Sequence, residues 1–148
     1  MLKKILLLIV VFLVASGIGY YFGYDIGYEK AINFLSGDDC EAVEHDLIHP
    51  DIEACDTISS PFTLTGEARG YWFFEASFPV TLEDADGNVL VEHYATALGE
   101  WMTEDFVPFS TTLTFSTPST STGNLILHRD NPSDLPENDD ELVIPVTF

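Results

Sequence analysis

The sequence predicts an all-β domain behind an N-terminal apolar segment. From residue 57 to the C-terminus, short segments in which apolar and polar residues alternate recur, as is typical of half-buried strands. Stretches rich in Pro, Ser and Gly separate these segments at regular spacing and indicate turns. About seven short strands with turns at this spacing predict an immunoglobulin-like β-sandwich.

The clearest alternation lies between Phe74 and Leu82, where every second residue is apolar. The turn-forming segment 84–88 follows, and 89–97 is the predicted returning strand. The other predicted strands are 57–60, 62–68, 111–117, 125–129 and 142–148. The apolar positions of these strands predict a core that contains Phe74, Phe78, Val80, Leu113, Phe115, Leu125 and Leu127. Trp72 is expected to pack between the sheets.

Residues 5–23 form an apolar run without charge behind Lys3 and Lys4. As a helix, this segment would span roughly 28 Å at about 1.5 Å per residue. That length is close to the hydrocarbon core of a bilayer, about 30 Å. The lysines favour a cytoplasmic N-terminus, so we expect the C-terminal bulk on the outer side of the cell membrane.

We expect this segment to remain as a single-pass anchor, the alternative being a signal peptide cleaved near residues 14–16. Gly19, Gly23 and Gly27 share one face of the predicted helix, and such a face can support self-association in the membrane. The predicted organisation is an anchor at 1–23, a juxtamembrane stalk at 24–45 and the β-sandwich at 46–148.

The chain is strongly acidic, with 25 Asp and Glu against 5 Lys and Arg and a net charge of −20. Apart from Asp25 and Glu29, all the acids lie in residues 31–148, where the only bases are Arg69 and Arg129. Such a surface repels nucleic-acid phosphate, so no nucleic-acid partner is expected. The charge is compatible with a cationic partner, divalent ions or a salty habitat, and equally with a surface that only confers solubility.

Five blocks of the sequence form a recognisable set, namely 66–70, 72–80, 99–109, 130–133 and 144–146. With these blocks, residues 46–148 resemble the immunoglobulin-like domain of bacterial spore germination. The resemblance implies an extracytoplasmic sandwich module without established catalytic residues. It does not imply sporulation, because the domain also occurs in bacteria that form no spores.

Cys40 and Cys55 are the only cysteines, and both are expected on the exported side. An oxidising compartment favours a disulfide between them. Closing a loop of about 15 residues stabilises the fold by about 3 kcal/mol in the chain-entropy model. A zinc site that adds His45 and His49 is an alternative, as are two free thiols.

The predicted turn at 84–88 carries three oxygen side chains, from Asp84, Asp86 and Asn88. They resemble part of a calcium loop, but position twelve is Ala95 instead of a glutamate. A plain hairpin turn is therefore favoured over a calcium site, and no metal or cofactor is expected.

No catalytic set is recognisable in the sequence. Ser77 and Ser110 lie in strand-like segments without the strand-turn-helix context of a nucleophile, and His93 and His128 are isolated in strand patterns. The sequence therefore predicts a protein that is not an enzyme.

The two longest motif-bearing connections, 99–109 and 130–137, are the predicted contact surface of the domain. Its candidate binding residues are Trp101, Asp105, Asn131 and Arg69. The alternative is that these loops only brace the sandwich. In so acidic a chain, Arg69 and Arg129 are each expected to pair with a carboxylate such as Glu75, Asp105 or Asp130 and to fix a loop, the alternative being a contact with an anionic ligand.

The leading functional hypothesis is a membrane-anchored binding or scaffolding module that contacts a protein or polymer of the bacterial cell envelope. Two alternatives stay open at this point. One is a structural accessory subunit that docks on another membrane protein, and the other is a calcium- or zinc-binding domain.

Overall fold

A computed structural model describes residues 40, 43–133 and 135–148. The predicted anchor at 1–23, most of the predicted stalk and the three glycines of the anchor face lie outside these residues. Within the described part of the chain, no helix has the length and apolar character needed to cross a membrane. The described strands are β1 (Ile48–Pro50), β2 (Phe62–Arg69), β3 (Ser77–Asp84), β4 (Val89–Ala97), β5 (Phe106–Leu113), β6 (Thr122–His128) and β7 (Glu141–Thr147).

The seven strands form one antiparallel sheet in the order β1-β2-β5-β4-β3-β6-β7. β4 joins its two halves, because it pairs with β3 along most of its length and with β5 only at Thr96 and Ala97. The rings of Phe78 on β3 and Phe109 on β5 meet edge to face with centroids 5.0 Å apart. The sheet therefore folds at this junction, and its two halves bury their inner faces against each other. The predicted all-β, immunoglobulin-like architecture is confirmed.

The chain runs from one edge of the sheet to the other before β2 begins. β1 pairs with β2 at the first edge. The backbone N–H of Ile58 then donates to the carbonyl of Thr147 on β7 over 2.9 Å, and the N–H of Thr147 donates to the carbonyl of Asp56 over 2.9 Å. The predicted strand at 57–60 is thus a single bridge to β7. β1 itself was not predicted from the sequence.

The core lies between the two halves of the sheet and contains 18 buried apolar residues. Five of the seven predicted core residues are fully buried, namely Phe78, Val80, Leu113, Leu125 and Leu127. Trp72 is also fully buried, as expected. Phe115 is only partly buried and packs against the core. The prediction for Phe74 is wrong, because its side chain is 42% exposed.

Most strand boundaries differ from the predicted ones by one to three residues, and both ends of β5 differ by four or five, because the strand predicted at 111–117 ends at Leu113. β3 begins at Ser77, because Phe74 and Ser77 exchange backbone hydrogen bonds of 2.9 and 3.1 Å around a tight turn. Glu75 and Ala76 form that turn with φ angles of 50° and 64°, the signs that a type I′ hairpin requires. β5 begins at Phe106, so the end of the predicted loop 99–109 is strand.

The predicted disulfide between Cys40 and Cys55 is confirmed, with the two Cα atoms 5.3 Å apart. Because the sulfurs are bonded to each other, they are not the ligands of the alternative zinc site. The backbone N–H of Cys55 donates to the carbonyl of Pro145 on β7 over 2.7 Å. The disulfide therefore joins the chain at Cys40 to an edge of the sheet.

Candidate binding surface

One end of the domain is built from three segments, residues 70–76, 98–105 and 129–131, which together we call the apolar end. Backbone hydrogen bonds hold these segments to one another and to the sheet. The N–H of Gly70 donates to the carbonyl of Asp105 over 3.1 Å, and the N–H of Asp130 donates to the carbonyl of Trp72 over 3.1 Å. The three segments thus form a preorganised surface on a rigid scaffold.

Gly70 allows the segment 98–105 to approach this closely. A Cβ atom at residue 70 would overlap the carbonyl oxygens of Trp101 and Thr103. Those two residues form a tight bend, in which the N–H of Thr103 donates to the carbonyl of Trp101 over 2.8 Å. Because only glycine lacks a Cβ, Gly70 fixes the position of this bend.

Exposed apolar side chains are concentrated on the apolar end. Nine large apolar side chains are exposed among the described residues, and four of them lie on its three segments. They are Tyr71, Phe74, Leu98 and Met102, with exposed fractions of 44, 42, 66 and 74%. Single exposed apolar residues are ordinary, whereas a group of them on one surface is typical of an interaction site.

The same three segments carry five carboxylates. They are Glu75, Glu100, Glu104, Asp105 and Asp130. Burial raises the pKa of Asp130 above its ordinary 3.8, and the nearby Glu75 carboxylate raises it further. Ionisation of Asp130 is therefore less favourable in the folded protein than in water, and a cationic group brought close to it would offset part of that cost.

Both arginines of the domain brace the apolar end. Arg69 donates from Nη1 to the carbonyl of Glu104 over 3.1 Å and lies 4.0 Å above the ring of Phe106. Arg129 donates from Nε to the carbonyl of Tyr71 over 3.2 Å. The ion pairs of the described residues all involve histidines. The expected pairing of the arginines with carboxylates is thus replaced by contacts with carbonyls and aromatic rings.

The other predicted binding residues also make contacts within their own loops. Trp101 is partly buried and packs against the core. Asp105 is exposed and accepts a long 3.5 Å hydrogen bond from the hydroxyl of Thr103. Asn131 donates to the carbonyl of Leu135 over 2.9 Å and to the carboxylate of Asp139 over 2.7 Å. These contacts support a bracing role, and binding by these residues stays a prediction.

Residues 50–135 match the family model for the immunoglobulin-like domain of bacterial spore germination. The match covers more than half of the chain and includes all three segments of the apolar end. The chain belongs to this family. No curated protein and no solved structure matches it significantly.

In this spore-germination immunoglobulin-like domain, the turn between β3 and β4 is organised by Asp84. Its carboxylate accepts hydrogen bonds from the backbone N–H groups of Asp86 over 3.0 Å and Asn88 over 2.9 Å. The side chains of Asn88 and Ser119 also donate to it. Both carboxylate oxygens of Asp84 are engaged within the protein. Among the described residues, no three His, Cys, Asp or Glu side chains form a metal-binding group.

These hydrogen bonds, chiefly that from the Asn88 side chain, hold the pKa of Asp84 below its ordinary 3.8. A lowered pKa in the folded state contributes stability above the ordinary pKa, and that contribution is lost as the pH falls through the lowered value. We expect Asp84→Asn to lower the melting temperature at neutral pH. The difference from the parent protein should shrink progressively in acid, as measured by thermal unfolding across pH.

Asp86→Asn is the matched control for this prediction, because Asp86 lies in the same turn with its side chain exposed. Its melting temperature should stay close to that of the parent protein at every pH. A deficit of Asp84→Asn that is independent of pH would contradict the electrostatic explanation.

A cleft of about 600 Å³ lies beside the apolar end and is lined by His128, Arg129, Asp139, Asp140 and Glu141. Two of the carboxylates that line the cleft lie close to histidine side chains. Nδ1 of His128 lies 3.4 Å from the carboxylate of Glu141, and Nε2 of His45 lies 3.2 Å from that of Asp140. The cleft therefore adds polar groups next to the apolar end, and His128, the histidine among its lining residues, already contacts a carboxylate.

Proposed function

We propose that this chain is a non-catalytic binding module of the bacterial cell envelope, held in the membrane by residues 1–23 with its β-domain outside. Its apolar end would capture a protein or polymer of the envelope. Membership of the immunoglobulin-like germination family supports a binding or structural module. The apolar run behind Lys3 and Lys4 supports the membrane attachment.

The observation that carries this proposal is the combination of exposure and rigidity at the apolar end. Leu98 and Met102 are more than half exposed. Leu98 is nevertheless held to β5 by the hydrogen bond from its N–H to the carbonyl of Pro108, and the bend that contains Met102 is fixed against Gly70. A surface that is already ordered loses little conformational entropy when a partner binds. Exposed apolar side chains on such a surface have no role in the core, and their burial by a partner would supply binding energy.

The charge of the domain defines the chemistry of the partner. The carboxylates around the apolar end favour a partner that presents both apolar and cationic groups. Electrostatic attraction would accelerate the encounter, and added salt would weaken it. The same charge disfavours nucleic acid and anionic lipid headgroups as ligands.

The decisive variant is the double substitution Leu98→Ser with Met102→Ser. Burial of one large apolar side chain is worth about 1.5–3 kcal/mol, so losing both, about 3–6 kcal/mol, should weaken partner capture about a hundredfold or more. Because both side chains are exposed, the melting temperature should stay near that of the parent chain. Capture is measured by cross-linking the full-length chain in intact cells and quantifying the linked partner by mass spectrometry.

Val143→Ser is the matched control, since Val143 is an exposed apolar residue on β7, outside the apolar end. It should leave capture within about twofold of the parent level, a change below about 0.5 kcal/mol. Equal capture by the parent and the double variant would refute the apolar end as the contact surface.

A further inference from the structure

The edges of the sheet are protected unequally. β7 is covered by the segment 55–58, through the hydrogen bonds of Cys55 and Ile58 to its carbonyls. β1 is only three residues long and ends at Pro50. β4 lies inside the strand order, but it pairs with β5 at only two residues. The rest of that side is an open edge on a strand of nine residues that contains no proline. Natural sheets normally shorten, cover or interrupt their edges, because an open edge pairs readily with another chain.

Most of β4 has no strand on its second side. It meets β5 only at Thr96 and Ala97, after which the two strands diverge. The N–H of Ala97 donates to Ala76 on the β3 side, whereas the N–H of Leu98 donates to Pro108 on the β5 side. Because these directions alternate along a strand, the peptide groups of Glu92 and Tyr94 point away from β3. In the described part of the chain, neither residue has a strand partner on that side.

Side chains at the point of divergence are also uncovered. Glu92, His93 and Tyr94 are three consecutive exposed residues, and Tyr94 is 57% exposed. His93 pairs with Val80, which is fully buried, so His93 lies on the inner face of the sheet and is nonetheless exposed. An added strand next to β4 would cover this part of the inner face.

An unsatisfied hydroxyl lies at the same place. Thr111 follows Ser110, the residue of β5 that pairs with Thr96 where the strands part. Its hydroxyl is buried and has no hydrogen-bond partner among the described residues. A buried polar group without a partner is costly, and this one lies on β5 one residue from the point where β4 and β5 part.

We propose that the outer edge of β4 is a docking site for an extended, cationic segment of a partner protein, which would add as a further strand along residues 90–95. Main-chain hydrogen bonds to Glu92 and Tyr94 would hold the segment, the usual basis of strand addition. Its lysine or arginine side chains would lie close to Glu92. The whole domain would attract them as well, because residues 31–148 contain 23 acidic residues and only 2 basic ones. A second copy of the chain is disfavoured, because it would bring an equally acidic edge against this one. This site is separate from the apolar end and does not depend on its function.

The test uses the full-length chain in detergent and three synthetic ten-residue peptides of alternating sequence. One alternates lysine with valine, the second alternates glutamate with valine, and the third is the lysine peptide N-methylated at two consecutive central residues. Consecutive residues present their N–H groups to opposite edges, so this methylation blocks either way of pairing while keeping the charge. By fluorescence anisotropy, we expect the lysine peptide to bind, and the other two to bind at least tenfold more weakly.

A pair of variants locates the site. Tyr94→Pro removes an outward N–H that the fold does not use, and proline is tolerated on edge strands. It should weaken binding of the lysine peptide about tenfold, the loss of roughly one hydrogen bond. Tyr94→Ala keeps the N–H and is the matched control, with binding within about threefold of the parent chain.

Equal binding of the methylated and unmethylated lysine peptides would overturn the proposal, because attraction between charges alone would then explain the binding. This comparison needs no variant, so it decides the matter even if Tyr94→Pro unfolds. Self-association of the parent chain that Tyr94→Pro abolishes in analytical ultracentrifugation would also overturn it, since the edge would then pair with a second copy.

Discussion

Phe78→Ala is expected to lower the free energy of unfolding by about 3–5 kcal/mol, the usual cost of removing a fully buried phenylalanine. Its side chain is 0% exposed and touches both halves of the folded sheet. The ring meets Phe109 at 5.0 Å, Phe73 at 5.3 Å and Trp72 at 6.5 Å between centroids. Truncation would leave a cavity at the centre of three aromatic contacts. Chemical denaturation of the parent and variant proteins measures the difference.

Phe74→Ala is the matched control, because the same side chain is removed four residues earlier from an exposed position. It should cost less than about 1 kcal/mol, as is usual for surface substitutions. A cost below about 1 kcal/mol for Phe78→Ala, or equal costs for the two variants, would contradict the described core.

The contrast between these two phenylalanines shows where the sequence pattern stops being informative. The alternation continues from Phe74 through Leu82 without interruption, so it predicts one strand. The structure inserts a tight turn at Glu75 and Ala76, whose positive φ angles are adopted far more readily by asparagine and glycine. Neither residue carries a turn signal, and the turn is specified by tertiary contacts such as the hydrogen bond from Ala97 to Ala76.

β4 and β5 show the same contrast. The predicted strand 89–97 coincides with β4, because turn-forming residues bound it on both sides. The start of β5 was missed because residues 99–109 were assigned as one motif block to a connecting loop, and Pro108 adds no strand signal of its own. In the structure, Pro108 contributes its carbonyl to the hydrogen bond from Leu98 on the β4 side, a contact that requires no N–H from the proline. Whether β5 needs the backbone N–H that Pro108 lacks depends on which strand lies beside Pro108. The sequence does not specify that neighbour.

The candidate surface was predicted at the level of segments and not of side chains. The motif blocks identified the loops that meet at the apolar end. The disulfide was predicted because the only two cysteines lie in the part of the chain expected in an oxidising compartment. Core packing is the favoured interpretation of Trp101 from the sequence, and Trp101 does pack against the core. Met102 beside it is 74% exposed, which the sequence did not indicate. The bend at 101–103 depends on contact with Gly70, about thirty residues earlier. A contact so distant in sequence has no local signal, so the exposed residues could not be chosen from the sequence.

Gly70→Ala is expected to destabilise the domain by about 3 kcal/mol, the upper part of the usual range for overpacking. The added methyl group would overlap two backbone oxygens, those of Trp101 and Thr103. Backbone atoms cannot move aside as the end of a flexible side chain can, so the bend must shift away from residue 70. The hydrogen bond from the Gly70 N–H to Asp105 would weaken with it. Partner capture should therefore fall together with the melting temperature.

Gly99→Ala separates this effect from a general intolerance of alanine in the loop. Gly99 belongs to the same segment, but a Cβ there would meet no atom within 4 Å. Its substitution should change the free energy of unfolding by less than about 0.5 kcal/mol and leave capture unchanged. Denaturation and cross-linking of both variants test the prediction together. If Gly70→Ala behaves like Gly99→Ala in both measurements, the bend is not held against residue 70, and the rigidity on which the proposed binding function depends is absent.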